Sequence, residues 1–288
     1  MLAIVGTVPE DHFPLVAGPV RFDGQVLLID GHQTPITRGT AALLAAACTC
    51  LKALRQPPPF GFLVGDTGLG LGSARLYEYL TRHLPEHTFS HLAFHYILPM
   101  VDWHNKVFFV LEKLTPRPVL IADAGYMYVA KMSGLAPEYD LFTPDAGELA
   151  FLADEEAPHP FYTRGFILHE DNLVPDLIRR AYAHDNAARY LLVKGREDYL
   201  ADRNGILAAI SEPEIEALEP IGGTGDTITG IVAALLAAGW EMKPAAVSAA
   251  RLNRRAGELA RPTPATAVAE IIHCLPQALG ELMAKVEV

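Results

Sequence analysis

"PIGGTGDTITGIVAALLAAG", residues 220–239, decides the reading of this chain. Gly222, Gly223, Thr224 and Gly225 run together, Asp226 follows, and an apolar stretch comes next. Ile228, Ile231, Val232, Leu235 and Leu236 recur at helical spacing, which predicts a helix that starts at the glycines and is closed by Gly239 and Pro244. Glycines in one turn leave backbone N–H groups open to close approach, and a helix start adds partial positive charge. The natural guest is an anion such as phosphate. A plain helix start needs one glycine or one capping threonine, not three glycines and an acid.

The acid needs its own reason, because a carboxylate repels a bound phosphate. A general base that takes the proton of an attacking hydroxyl supplies that reason. The N–H groups of Gly223, Thr224 and Gly225 would neutralise charge developing on a transferred phosphoryl group. With a reference pKa near 3.9, an aspartate is ionised at neutral pH and ready to accept that proton.

Outward from this motif, β-branched apolar runs alternate with helical patterns. Strands are expected at "QVLLIDG" (25–31), "PPPFGFLVGD" (57–66), "PVLIADAG" (118–125), "YDLFTP" (139–144) and "RYLLVKG" (189–195). Helices are expected at 37–54, 73–84 and 175–185. "DYLADRNGILAAI" (198–210) reads as an antiparallel hairpin turning at "DRNG". The alternation predicts an α/β fold whose sheet is mostly parallel and covered by helices on both faces. No boundary splits the chain, so a single domain over 1–288 is expected. The Pro-rich, acidic stretch 154–165 reads as a surface loop.

Further motifs stand at predicted strand ends, where α/β proteins collect ligand contacts. "IADAG" puts Asp123 there, and "LLVKG" puts Lys194 and Gly195 there. A lone lysine usually faces solvent; beside an anion turn it would contact phosphate. In "TPDAGELAFLA" (143–153), Asp145 and Glu148 stand three apart before an apolar helix, the capping-box spacing. Glu148 would also orient waters on a Mg²⁺ bound to nucleotide phosphates. "GDTGLGLGS" (65–73) has Leu71 where a Walker lysine would stand and misses the dinucleotide-binding spacing, so it reads as a strand-to-helix turn. His87, His91, His95 and His104 form no metal-binding motif.

The 288 residues are half hydrophobic and one-fifth charged, with a net charge of −11. That balance disfavours a nucleic-acid or anionic-membrane partner. Cys48, Cys50 and Cys274 make no disulfide framework, which fits a reducing, cytoplasmic setting. The first residues do not read as a signal peptide, and no apolar run is long enough to span a membrane.

With "IADAG", "TPDAGE", "VKG" and "GGTGD" in that order, the chain resembles the ribokinase-like superfamily, and within it the ADP/ATP-dependent NAD(P)H-hydrate dehydratase family. The likeness runs on through "AVSAARLNRRAGELA" (246–260), and more loosely includes "DGHQTPITRGTAALLAAA" (30–47). The resemblance implies a three-layer α/β sandwich, with ATP or ADP and Mg²⁺ as cofactors. Its reaction removes water from hydrated NADH or NADPH by phosphorylating the hydroxyl. Asp226 corresponds to the acid of the glycine motif, Lys194-Gly195 to the family's Lys-Gly pair, and Gly222, Gly223, Thr224 and Gly225 to its phosphate turn. Thr143, Pro144, Gly147 and Glu148 match TPHPGE. Asp145 stands for that motif's histidine and Ala146 for its second proline. The glycine-rich GPGLG segment is replaced by "HYILPMVDWH" (95–104), so the departures fall on the substrate side, to which Asp123 and Asp145 are assigned. A small-molecule kinase of the same superfamily, acting on a sugar or vitamin alcohol, and a catalytically silent nucleotide-binding relative are the alternatives. A homo-oligomer is compatible with each.

Overall fold

The computed structural model describes residues 1–155, 174–263 and 265–286. All but the first two residues of the loop expected at 154–165 lie outside the described residues. The chain divides into two compact units, Met1–Thr67 with Ile210–Val288, and Gly68–Ala209.

In chain order the first part holds β1 (Leu2–Val8), β2 (Val16–Pro19), β3 (Arg21–Phe22), β4 (Val26–Ile29), β5 (His32–Pro35), α1 (Thr40–Ala53) and β6 (Phe60–Gly65). The inserted unit holds α2 (Leu71–His83), β7 (His91–His95), α3 (Val101–Leu111), β8 (Val119–Ala122), α4 (Gly125–Met132), β9 (Leu141–Phe142) and α5 (Ala146–Ala153). It continues with α6 (Val174–Ala183), β10 (Tyr190–Val193), β11 (Asp198–Asp202) and β12 (Gly205–Ile210). The remainder is helical: α7 (Thr224–Ala237), α8 (Met242–Ala260), α9 (Val268–His273) and α10 (Leu275–Val286).

In the first unit β1 pairs parallel with β6 over Ala3↔Phe60 to Val8↔Gly65, and β2 pairs antiparallel on the other side of β6. All seven residues of β1 are buried, which explains its unbroken "LAIVGTV" composition. "QVLLIDG" is a strand, as expected, but it is the middle of a separate antiparallel sheet, β3–β4–β5. Asp30 and Gly31, both at positive φ, turn its chain. α1 and α7 pack on one another. Their approach is set by small residues: a Cβ on Gly230 would meet the backbone carbonyl of Leu43 and stand 3.1 Å from the Cβ of Ala46. α1 begins at Thr40, three residues later than its pattern suggests, because Gly39 has φ 68° and ψ −147°, a glycine conformation outside the helical region.

In the second unit the strand order is β7, β8, β9, β10, β11, β12. The first four run parallel, β11 is antiparallel to β10, and β12, across the "DRNG" turn, lies beside β11. The fold is thus α/β with mainly parallel strands. No described helix is long and apolar enough to cross a membrane.

Candidate active site

The glycine motif forms the start of α7 in the first unit. Gly223 is its N-cap, with φ 98°, a left-handed conformation that glycine adopts without strain. The first helical bond runs from the Thr227 N–H to the Gly223 carbonyl at 3.0 Å. Among the described residues, the N–H groups of Gly223, Thr224 and Gly225 meet no acceptor, as the first turn of a helix requires, and that of Gly222 just before it also meets none. The Thr224 hydroxyl donates back to the Ile221 carbonyl at 3.1 Å, so it braces the turn rather than capping the helix.

Two residues that the motifs do not reveal hold this turn. Asn253 of α8 donates to the Thr224 carbonyl at 3.0 Å and accepts from the Thr227 hydroxyl at 2.5 Å. It lies within "RLNRRAGELA", where only its polarity inside a buried helix face would have marked it. Asp226, in the first turn of α7, accepts at Oδ2 from the backbone N–H of Gly39 at 2.6 Å. Gly39 is also the N-cap of α1. Two helix starts therefore share one carboxylate, and each dipole favours its charge by about 0.3–1 kcal/mol.

The second unit gathers the other predicted residues. Lys194 is buried, contrary to the usual lysine, and its Nζ donates to Asp123 Oδ1 and Oδ2 at 2.8 and 3.0 Å. His95 Nε2 lies 3.7 Å from the same carboxylate. Burial explains the pairing, since a charge taken from water needs a partner. Lys194 forms a parallel bridge with Asp145, and its N–H donates to the Pro144 carbonyl at 2.8 Å, so "TPDAGE" and "VKG" lie side by side. The Gly195 N–H donates to the carboxylate of buried Asp198 at 3.0 Å.

Asp145 and Glu148 make the expected capping box at the start of α5. The Glu148 N–H donates to Asp145 Oδ1 at 2.7 Å, and the Asp145 N–H donates to Glu148 Oε2 at 2.8 Å. Burial pushes the Glu148 carboxyl up to about 8, against the pull of Lys194 and with help from the negative charges of Asp123 and Asp145. "GDTGLGLGS" is the expected strand-to-helix turn, with Gly70 as the left-handed N-cap of α2.

The four histidines have separate partners. His87 stacks on Phe89 and His91 contacts the Ser90 hydroxyl. His104 is buried between the Tyr139 and Ser133 hydroxyls, at 2.8 and 2.9 Å, and burial pushes its pKa down to about 4. Cys48 and Cys50 are buried, which raises both thiols to about 12.

A glycine turn with open amides, an acid in the first turn of the following helix and parallel strands ending in polar residues define a ribokinase-like α/β protein. Residues 99–277 match the family described as NAD(P)H-hydrate dehydratase, and the chain belongs to that family. An uncharacterized protein of Methanocaldococcus jannaschii is 42% identical over 216 residues, covering 75% of this chain and 88% of that protein. The ADP-dependent (S)-NAD(P)H-hydrate dehydratase of Cenarchaeum symbiosum is 30% identical over 139 residues, 48% of this chain and 43% of that protein. Among solved structures, the ADP/ATP-dependent NAD(P)H-hydrate dehydratase of Bacillus subtilis, co-crystallized with ATP/Mg²⁺, has a TM-score of 0.58 at 17% identity, over 97% of this chain and 89% of that one. The pyridoxal kinase of Staphylococcus aureus has a TM-score of 0.54 at 14% identity, over 88% and 86%. At those identities the likeness is one of fold.

Proposed function

We propose that this chain is a dehydratase that uses ATP or ADP with Mg²⁺ to remove water from hydrated NADH or NADPH. The observation that carries this reading is the turn at 222–225, whose four open amides stand next to an acid held by a backbone donor. The open amides would take up charge developing on the transferred phosphoryl group. Asp226 would accept the substrate hydroxyl's proton as its oxygen bonds to phosphorus and the bond to the leaving nucleotide oxygen breaks. The phosphate ester then leaves as phosphate, and loss of a ring proton restores the nicotinamide double bond. The names of the Cenarchaeum and Bacillus proteins support the substrate and the nucleotide.

The carboxylate of Glu148 is a hard oxygen donor that suits Mg²⁺, and it would hold the ion through water. One Glu148 oxygen is engaged by the Asp145 N–H, which leaves the other to reach a metal-bound water. Magnesium would supply charge neutralisation at the nucleotide phosphates. Lys194, with Gly195, stays assigned to the nucleotide, but Asp123 already offsets its charge, so the glycine turn carries most of the anion binding. Asp123 and Asp145 stay assigned to the substrate side. Buried thiols and three cysteines fit a reducing, cytoplasmic setting.

Product analysis tests the reading. With Mg-ATP or Mg-ADP and hydrated NADH, recovery of NADH absorbance with one phosphate per NADH is expected. Nucleotide consumption only in the presence of an alcohol would transfer the chain to the kinases. Nucleotide binding without turnover of either substrate class would make it a silent relative.

A further inference from the structure

We propose that Gly39 is the positioning residue of Asp226. This rests on the reading of Asp226 as the base and adds to it a partner that no motif marks. Gly39 lies 187 residues away in sequence, and its N–H reaches Asp226 Oδ2 at 2.6 Å. A charge-assisted bond of that length constrains the plane of the carboxylate, and with it the direction of Oδ1. A base works only when its oxygen is aimed at the proton it takes.

The donor is itself rigidly placed. The Gly39 carbonyl accepts the Leu43 N–H at 3.1 Å, which ties the residue to the start of α1. α1 in turn lies against α7 through Leu43 and Gly230. Arg38 packs along the glycine turn: its Cβ and Cδ lie 3.7 Å from where a Gly222 Cβ would stand, and its Cα 3.2 Å from that point on Gly223. At φ 68° and ψ −147° the N–H of residue 39 points at the carboxylate only in a conformation nearly confined to glycine. A side chain there would turn the peptide and carry the donor away.

Two measurements test this. The first needs no change at residue 39: amide hydrogen exchange at Gly39 should quicken about tenfold or more in Asp226→Ala, which removes the acceptor. Unchanged exchange overturns the bond. The second is kinetic, with hydrated NADH and Mg-ATP. Gly39→Ala should cut kcat by about 10- to 100-fold with nucleotide KM nearly unchanged. In an Asp226→Asn background it should cost nothing more, because the base it positions is gone. An equal further loss in that background means Gly39 acts on the fold at large, and the proposal fails. Normal turnover in Gly39→Ala also overturns it while leaving Asp226 as the base. Full turnover in Asp226→Asn overturns the base reading, and the positioning role with it. Should Gly39→Ala fail to fold, the exchange measurement on Asp226→Ala, which leaves residue 39 unchanged, still decides whether the bond holds the two residues together.

Discussion

The ammonium of Lys194 grips both oxygens of Asp123, and the two side chains are 9% and 1% exposed. A strand-end lysine is thereby turned inward, at a cost in desolvation that its pairing with Asp123 offsets.

Removing one member should therefore show first as lost stability. Lys194→Ala leaves a buried carboxylate without its cation and should lower the unfolding free energy by about 3–5 kcal/mol. Urea unfolding measures it. A loss below about 1 kcal/mol would mean that water or another group replaces the ammonium, and nucleotide affinity would then become the readout that matters for Lys194.

Asp226→Asn keeps shape and removes the carboxylate proposed as the base. Turnover should fall by about 10²–10⁴, or roughly 2.7–5.5 kcal/mol of barrier. Nucleotide affinity should hold or improve, because a negative charge leaves the phosphate turn. Phosphate release and calorimetric titration read the two effects separately. Retained turnover would reduce Asp226 to a helix-start residue.

Glu148 makes stability depend on pH. Its carboxyl is pushed up to about 8 from an ordinary value of 4.5. Between those values the folded chain keeps a proton that the unfolded chain releases, so this residue's contribution falls as pH rises through the window. Glu148→Gln retains an acceptor for the Asp145 N–H and cannot ionise. Relative to the variant, wild type should lose ground steadily between pH 5 and about 8, the interval set by that raised carboxyl. Parallel urea midpoints for the two proteins across that range would show that Glu148 is ionised throughout.

The space around two helical glycines predicts opposite outcomes for one substitution. Gly230→Ala drives a methyl group into the Leu43 carbonyl and should destabilise by about 1–3 kcal/mol. Gly280→Ala, on the exposed side of α10 with nothing within 4 Å, should stabilise by about 0.5–1 kcal/mol through helix propensity. Thermal melts of both variants check the pair. A melting temperature raised by both would mean the helices part without cost.

Much of this was legible in the sequence where the signal is local. The stripe from Ile228 to Leu236 is buried as its spacing requires, and Asp145 and Glu148 make both bonds of the capping box. What was not legible depends on partners distant in sequence. β1 carries the unbroken apolar run of a buried strand but stands at the start of the chain, apart from the strand–helix alternation that marks the others, and β7 has a histidine at each end and does not read as a strand. β9 falls within the strand expected at "YDLFTP" but keeps only two of its residues, because pairing partners rather than local pattern set its ends. Asp123 and Lys194 could each be placed at a strand end, but not paired across 71 residues. The Gly39 bond to Asp226 spans 187 residues and uses a backbone donor, which no residue type announces.

The division of the chain also bears on how the protein is made. The first unit is built from both ends of the sequence, and the second from one uninterrupted stretch between them. On the ribosome, α1 is complete long before α7 exists. At about 5–20 residues per second, the interval is on the order of 10–40 s. During it, the alanine- and leucine-rich wall of α1, buried along nearly its whole length in the finished fold, has no α7 to cover it. The nascent chain thus passes through a period in which its opening segment is a target for chaperones. Chains cut short before residue 224 should accumulate as aggregates rather than as a smaller folded protein.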